Sequence, residues 1–255
     1  MCGTVSGPVF IEICVDSAAS AMAAELGGAD RVELCSNLPE GGATPSFRLM
    51  ELVRSRISIG LHVMIRPRTG DFCYTADEFE TMRRDILVAQ KIGADGVVLG
   101  ILQTKGTVDI ERTSQLVQLA RPLTVTFHRA FDTSPDPFRA FEDLRAAGID
   151  RLLTSGGEQT TALGIDKIAG LVQASRGRIA IMAGGGIREH NVASVIERTG
   201  VREIHSGLSS PVSVPATLPH SKITFGTAAT AENQTFQISP QDVRKLREAA
   251  TLARI

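Results

Sequence analysis

Two carboxylate–thiol pairs repeat near the start of the chain. Glu12 and Cys14 lie two apart in VFIEICVDS (9–17), and Glu33 and Cys35 lie two apart in RVELCS (31–36). The residues around them are apolar strand formers, and residues two apart in a strand share a face. Each segment therefore predicts a buried strand with an acid and a thiol on one side. A buried carboxylate needs a compensating partner. Thiols are soft metal ligands once ionised. Consecutive parallel strands run about 4.8 Å apart, and a zinc–thiolate bond is about 2.3 Å. If Cys14 and Cys35 are level on such strands, their sulfurs bracket one ion nearly in line. Few, soft ligands favour Cu(I). A closed zinc site would want four nitrogen or sulfur ligands, and no CxxC or HxxxH pair is present. The alternative for each cysteine alone is a buried, inert thiol.

Other reactive side chains collect just after apolar runs: Arg66, Arg68 and Asp71 in MIRPRTGDF, His128, Arg129 and Asp132 in FHRAFD, Thr154 and Ser155 in TSGG, and His205 in EIHSG. AGGGIRE places Gly184, Gly185 and Gly186 ahead of a helix, where backbone N–H groups can approach an anion. Together these form a candidate catalytic set. Glu12 or Glu33 would act as a base raised by burial. His128 and His205 would move protons, with Asp132 orienting His128. Arg66 and Arg68 would clamp a carboxylate or phosphate, and Ser155 with Gly184–Gly186 would seat a small phosphorylated or otherwise anionic ligand. The competing explanation is structural: an ion-pair network for the charges and close packing for the glycines. His62, early in its strand, is expected to be structural.

The elements that would position these groups are repetitive. GGADRVEL (27–34), IGADGVVLG (92–100), AGIDRLLTSG (147–156) and TGVREIHSG (199–207) share one grammar: glycine, a small or branched residue, usually aspartate, then an apolar run. Glycine after an amphipathic stretch ends a helix, and the run that follows is a short buried strand. Four further strands are predicted between these at VFIEIC, GLHVMIR, LTVTFHR and RIAIMAGGG. Helical patterns fill the intervals, with Thr44 as N-cap and Pro45 at the first position of the second helix, and Ser239 with Pro240 opening the last. Eight strand–helix pairs in one chain predict a single (β/α)₈ TIM barrel over residues 1–255. An open doubly wound sheet is the alternative. In such a barrel the strand ends that carry the reactive groups form one mouth. Residues 207–238 show no clear periodicity and are expected to be an irregular functional or oligomer-contacting loop.

Composition narrows the function. Among 255 residues, 27 basic and 28 acidic side chains leave a net charge of -1, which offers no electrostatic footprint for nucleic acid or an anionic membrane. One tyrosine and no tryptophan supply few stacking platforms. No apolar run reaches the roughly 20 residues of a membrane span, and the N-terminus lacks a signal-peptide pattern. A cytoplasmic location is expected, with the nucleus as an alternative in a eukaryote. Four cysteines are too few for a disulfide scaffold at this length. No G-x-G-x-x-G follows a first strand, so no dinucleotide is expected.

Taken together, EICVDS, GGADRVELCSNLPEGGATPS, MIRPRTGDFCY, GADGVVLG, TFHRAFD, LLTSGG, MAGGGI and EIHSG resemble the CutC family of copper homeostasis proteins over about residues 10–206. The resemblance implies a TIM-type barrel, a cytosolic location and a homo-oligomer, a dimer or tetramer. It also implies Cu(I) bound through the two thiols that match Cys14 and Cys35, both kept as in animal-like members. The match is poor over 207–238. The second reading is an enzyme of the same fold, a lyase, isomerase or hydrolase acting on a small anionic substrate.

Overall fold

The computed structural model describes residues 8–213 and 234–253. Eight parallel strands close into a barrel: β1 (Phe10–Val15), β2 (Arg31–Leu34), β3 (Gly60–Met64), β4 (Gly96–Leu99), β5 (Thr124–Phe127), β6 (Arg151–Thr154), β7 (Ala180–Gly184) and β8 (Glu203–Ser206), with β8 pairing back onto β1. Helices α1 (Ala18–Leu26), α2 (Phe47–Arg54), α3 (Ala76–Lys91), α4 (Ile110–Ala120), α5 (Pro137–Ala147), α6 (Ile165–Ser175) and α7 (Glu189–Thr199) follow the first seven strands in turn. This is the expected (β/α)₈ architecture. The outward strand residues, such as Ile11, Ile13, Val32, Leu34, Leu61 and Val63, are fully buried against the helices. Each such side chain contributes about 1.5–3 kcal/mol by leaving water.

The repeated grammar has a physical basis. Gly28, Gly93, Gly148 and Gly200 all take positive φ at the helix exits. The aspartate that follows in three repeats pins the base of the preceding strand. Asp30 accepts from Ile11 N at 2.6 Å, Asp95 from Leu61 N at 2.8 Å and Asp150 from Val125 N at 2.7 Å. Each is also paired with an arginine, respectively Arg247, Arg54 and Arg121. In the fourth repeat Arg202 stands in that place, and its carbonyl accepts from Phe10 N.

Two local expectations change. The second helix is capped by Ser46, whose Oγ accepts from Leu49 N at 3.2 Å. Thr44 Oγ1 instead accepts from Arg66 N at 2.9 Å, and Thr44 N donates to Arg66 O at 2.9 Å. This bond stitches the loop after β2 to the end of β3, so the helix starts two residues later. The stretch after β8, expected to be irregular, holds β9 (Ser210–Ser213) paired antiparallel with β10 (Gln234–Gln237). Local periodicity could not reveal that pairing because its partners lie more than 20 residues apart in sequence. Residues 214–233 of the same stretch, and Cys2, fall outside the described residues. The chain then enters α8 (Pro240–Thr251), with Ser239 at the N-cap. No described helix is long and apolar enough to cross a membrane.

Candidate metal centre at the barrel mouth

Cys14 ends the inward face of β1, and Cys35 follows β2, tied by Cys35 N to Val15 O at 2.9 Å. The two are not level. Cys14 pairs with Glu33 across the strands, so Cys35 sits further toward the rim. The diagonal still brings the sulfurs to 3.8 Å. Both thiols are buried, packed with Met64 and Val98. Two bonds of about 2.3 Å would span about 4.6 Å in line. At 3.8 Å the sulfurs instead subtend about 110° at a shared ion. The arrangement seen is therefore a bent seat with one side open. Gly42 fits tightly over it. Its φ is +85°, and a Cβ there would lie 3.2 Å from Cys35 Sγ.

Carboxylate and imidazole groups continue the site down the barrel axis. Cys35 Sγ lies 3.5 Å from Glu33 Oε2. Glu33 Oε2 lies 3.8 Å from His205 Nε2, whose Nδ1 meets Glu12 Oε1 at 2.7 Å. Glu12 Oε2 accepts from Arg31 Nε at 2.6 Å. Arg31 also bonds Glu203, which accepts from Arg151 Nε at 2.5 Å. Glu33 is part of the mouth with the two sulfurs, whereas Glu12 belongs to a charge network that fills the barrel below it. Two overlapping groups have ligand atoms within 4.8 Å of one another: Cys14, Glu33 and Cys35, and Glu12, Glu33 and His205.

Electrostatics divide the thiols. The bond from the Cys35 thiol, aided by His205 and opposed by burial, holds Cys14 at about 5, so it is a thiolate at neutral pH. That same bond to Cys14, with burial, pushes Cys35 well up, and it keeps its proton. Burial and the neighbouring thiolate push Glu33 well above the usual carboxylate range. Glu12 is buried too, but Arg31 and His205 outweigh burial and hold it ionised. Burial works against a charge on His205. The acidic groups around it, Glu33, Cys14 and Glu12, overcome that cost and raise it.

Arg66 and His128 stand on the other side of the same mouth. Arg66 donates to the carbonyls of Glu40, Gly42 and Gly70 at 2.8–3.1 Å and lies over the Phe72 ring. His128 Nδ1 accepts from Ala130 N at 3.1 Å, and burial with nearby Arg66 lowers the ring to about 3. Asp132 bonds elsewhere: to Arg129 Nε at 2.7 Å, Thr154 Oγ1 at 2.5 Å, Ser155 N and Oγ at 3.0 and 2.8 Å, and Gly157 N at 3.0 Å. The TSGG amides and Ser155 thus already hold an anion, this carboxylate. A Cβ at Gly184 would come 2.5 Å from Leu153 Cδ1, and one at Gly185 would come 3.1 Å from Ser155 Cβ. Gly184–Gly186 and Ser155 lie outside the lining of the cavity, of about 320 Å³, that Cys14, Glu33, Cys35, Arg66, His128 and His205 share.

A family model described as the CutC family matches residues 9–210. The chain belongs to the CutC family. It is 44% identical over 240 residues to a "family protein CutC" of Chromobacterium violaceum, covering 94% of this chain and 97% of that one. It is 41% identical over 245 residues to the "Copper homeostasis protein cutC homolog" of Homo sapiens, covering 96% and 89%. The crystal structure of the CutC of Streptococcus agalactiae superposes with a TM-score of 0.74 at 34% identity, covering 77% of this chain and 97% of that one.

Within this CutC barrel, sequence reasoning missed Arg31, Arg151 and Glu203, which balance the interior. A signal was present. Arg31 lies two residues before Glu33, and Glu203 two before His205, so alternation places them on the inward face. His62, expected to be structural, also points inward, with Nε2 3.3 Å from Thr124 Oγ1 and Nδ1 3.7 Å from Glu12. Gly96 makes room for it, since a Cβ there would lie 2.6 Å from His62 Nε2.

Proposed function

We propose that this protein handles copper in the cell by taking up one Cu(I) ion between Cys14 and Cys35. The observation that carries this reading is the pair of buried sulfurs 3.8 Å apart beneath a cavity, one of them already ionised. Soft thiolates with few competing ligands select a monovalent soft ion, and Leu38, Met64 and Val98 pack around the sulfurs. Glu33, 3.5 Å from Cys35 Sγ and grouped with both thiols, offers an oxygen as a third donor. The named copper homeostasis relative supports the same cargo. Family likeness further supports a cytoplasmic location and a homo-oligomer, dimer or tetramer.

The experiment is a competition titration of the full chain against a chromophoric Cu(I) chelator under strict anaerobiosis. Wild type should retain one ion per chain. Cys14→Ser and Cys35→Ser should each weaken retention by about tenfold or more, and the double variant should lose it while its circular dichroism stays unchanged. Retention by a folded double variant at wild-type affinity overturns the proposal.

A further inference from the structure

Several arginines at and below the barrel mouth face a carboxylate. Arg31 and Arg151 face Glu12 and Glu203, Arg68 faces Glu78 and Asp71, and Arg129 faces Asp132. Arg66 is 95% buried, since only 5% of its surface is exposed. Among the described residues it has no carboxylate within 4.0 Å; its neighbours are the carbonyls of Glu40, Gly42 and Gly70, the Phe72 ring and the neutral Tyr74 hydroxyl. Carbonyls satisfy its N–H groups but do not neutralise its charge, and a buried charge without a counter-charge is costly. Arg66 Nε is also a buried donor without a partner among the described residues. So is His128 Nε2. His128 Nδ1 accepts the Ala130 N–H, which puts the proton of a neutral ring on Nε2. Arg66 and His128 line the same cavity, with Leu38, Met64, Phe72 and Leu153 as its apolar wall. At about 320 Å³ it falls within the size range of small-molecule pockets.

We infer that this cavity is a binding site for a small monocarboxylic acid, its carboxylate on Arg66 and His128 and its apolar body against Leu38, Met64, Phe72 and Leu153. One uncompensated guanidinium calls for one negative charge, and Arg with a second N–H donor suits the two oxygens of a carboxylate. A phosphate fits less well. It carries more charge and favours clustered backbone N–H donors, and those of Ser155 and Gly157 already serve Asp132. The carboxylate site does not depend on copper reaching the thiols, so it is tested on metal-free protein.

The probe is benzoate, titrated calorimetrically into the metal-free full chain at pH 7, with benzamide and inorganic phosphate as comparison ligands. Benzoate should bind saturably, one per chain, and about tenfold or more tighter than benzamide or phosphate. Nitrogen-15 spectra of the histidine rings should show the His128 signals moving with benzoate and staying put with benzamide. Arg66→Gln should weaken benzoate by about tenfold or more. Because Arg66 also ties loops together, the wild-type His128 measurement stands independently of that variant. The inference is overturned by absent saturation, by equal binding of benzoate and benzamide, by tighter binding of phosphate, or by unmoved His128 signals at saturation. None of these outcomes bears on Cu(I) retention, which is read separately with the chelator.

Discussion

His205 stands on Glu12, Nδ1 to Oε1 at 2.7 Å, with its other ring nitrogen turned toward Glu33 at 3.8 Å. The ring therefore links the charge network inside the barrel to the thiols at its mouth. A cation held there by Glu12 is one of the causes that keep Cys14 ionised.

Replacing His205 with leucine should raise the apparent pKa of Cys14 by about one unit or more. In wild type, alkylation of Cys14 should follow a titration near 5, so the thiol reacts as a thiolate at pH 6. In the variant the thiolate fraction at pH 6 should fall. Iodoacetamide labelling across pH, followed for the Cys14 peptide by mass spectrometry, measures this. An unchanged profile would mean that the bond from Cys35 alone sets the thiolate.

Metal uptake should release protons. Cys14 is already ionised at neutral pH, whereas Cys35 is held protonated. Ligation by both sulfurs requires Cys35 to lose its proton, so each Cu(I) bound at pH 7 should release about one proton. Titration in two buffers of different ionisation enthalpy gives this number. Release near zero would point to Cys14 as the only ligand, and release near two to Glu33 giving up its raised proton as a third ligand or to a Cys14 thiol that is protonated in the free protein.

Three histidines should give stability a maximum near neutrality. Burial lowers His62 to about 4, and burial with Arg66 lowers His128 to about 3. Between those values and the unfolded value near 6.5, the unfolded chain binds more protons, so stability is lost as pH falls. From pH 6.5 to pH 5 the two rings together should cost about 3 kcal/mol. His205 is raised instead, so its contribution is present below 6.5 and is lost as pH rises through its folded value. Urea unfolding at pH 5, 7 and 9 should show the highest midpoint at 7. His128→Phe should flatten the acid limb.

The barrel was legible because its signals are local and repeated: positive-φ glycines at helix exits, the aspartate after them, and apolar runs of strand length. The thiol pair was legible as residue type and spacing, but its geometry was not. An in-line seat requires level cysteines, whereas Cys14 is level with Glu33 and the sulfurs meet on a diagonal. That offset depends on how β1 and β2 slide past each other, which no residue type announces. The fate of Asp132 was hidden for a similar reason. Its partners Thr154, Ser155 and Gly157 come from the next strand end, and sequence places them beside it only once the barrel is closed.

The opposite end of the barrel should separate stability from metal handling. Asp150 accepts from the buried Val125 N–H at 2.7 Å and pairs with Arg121 at 2.7 Å. Asp150→Ala leaves that N–H without its acceptor at the start of β5, a loss of about 1–3 kcal/mol. Asp150→Asn keeps an oxygen acceptor and gives up mainly the ion pair, which is partly exposed and worth about 1 kcal/mol or less. The alanine variant should therefore unfold at clearly lower urea than the asparagine variant. Both should still retain one Cu(I) per chain, because β5 and β6 start at the end of the barrel away from Cys14 and Cys35. Loss of copper in a folded Asp150→Ala protein would show that the base of the barrel sets the sulfur geometry, so that the two ends do not act independently.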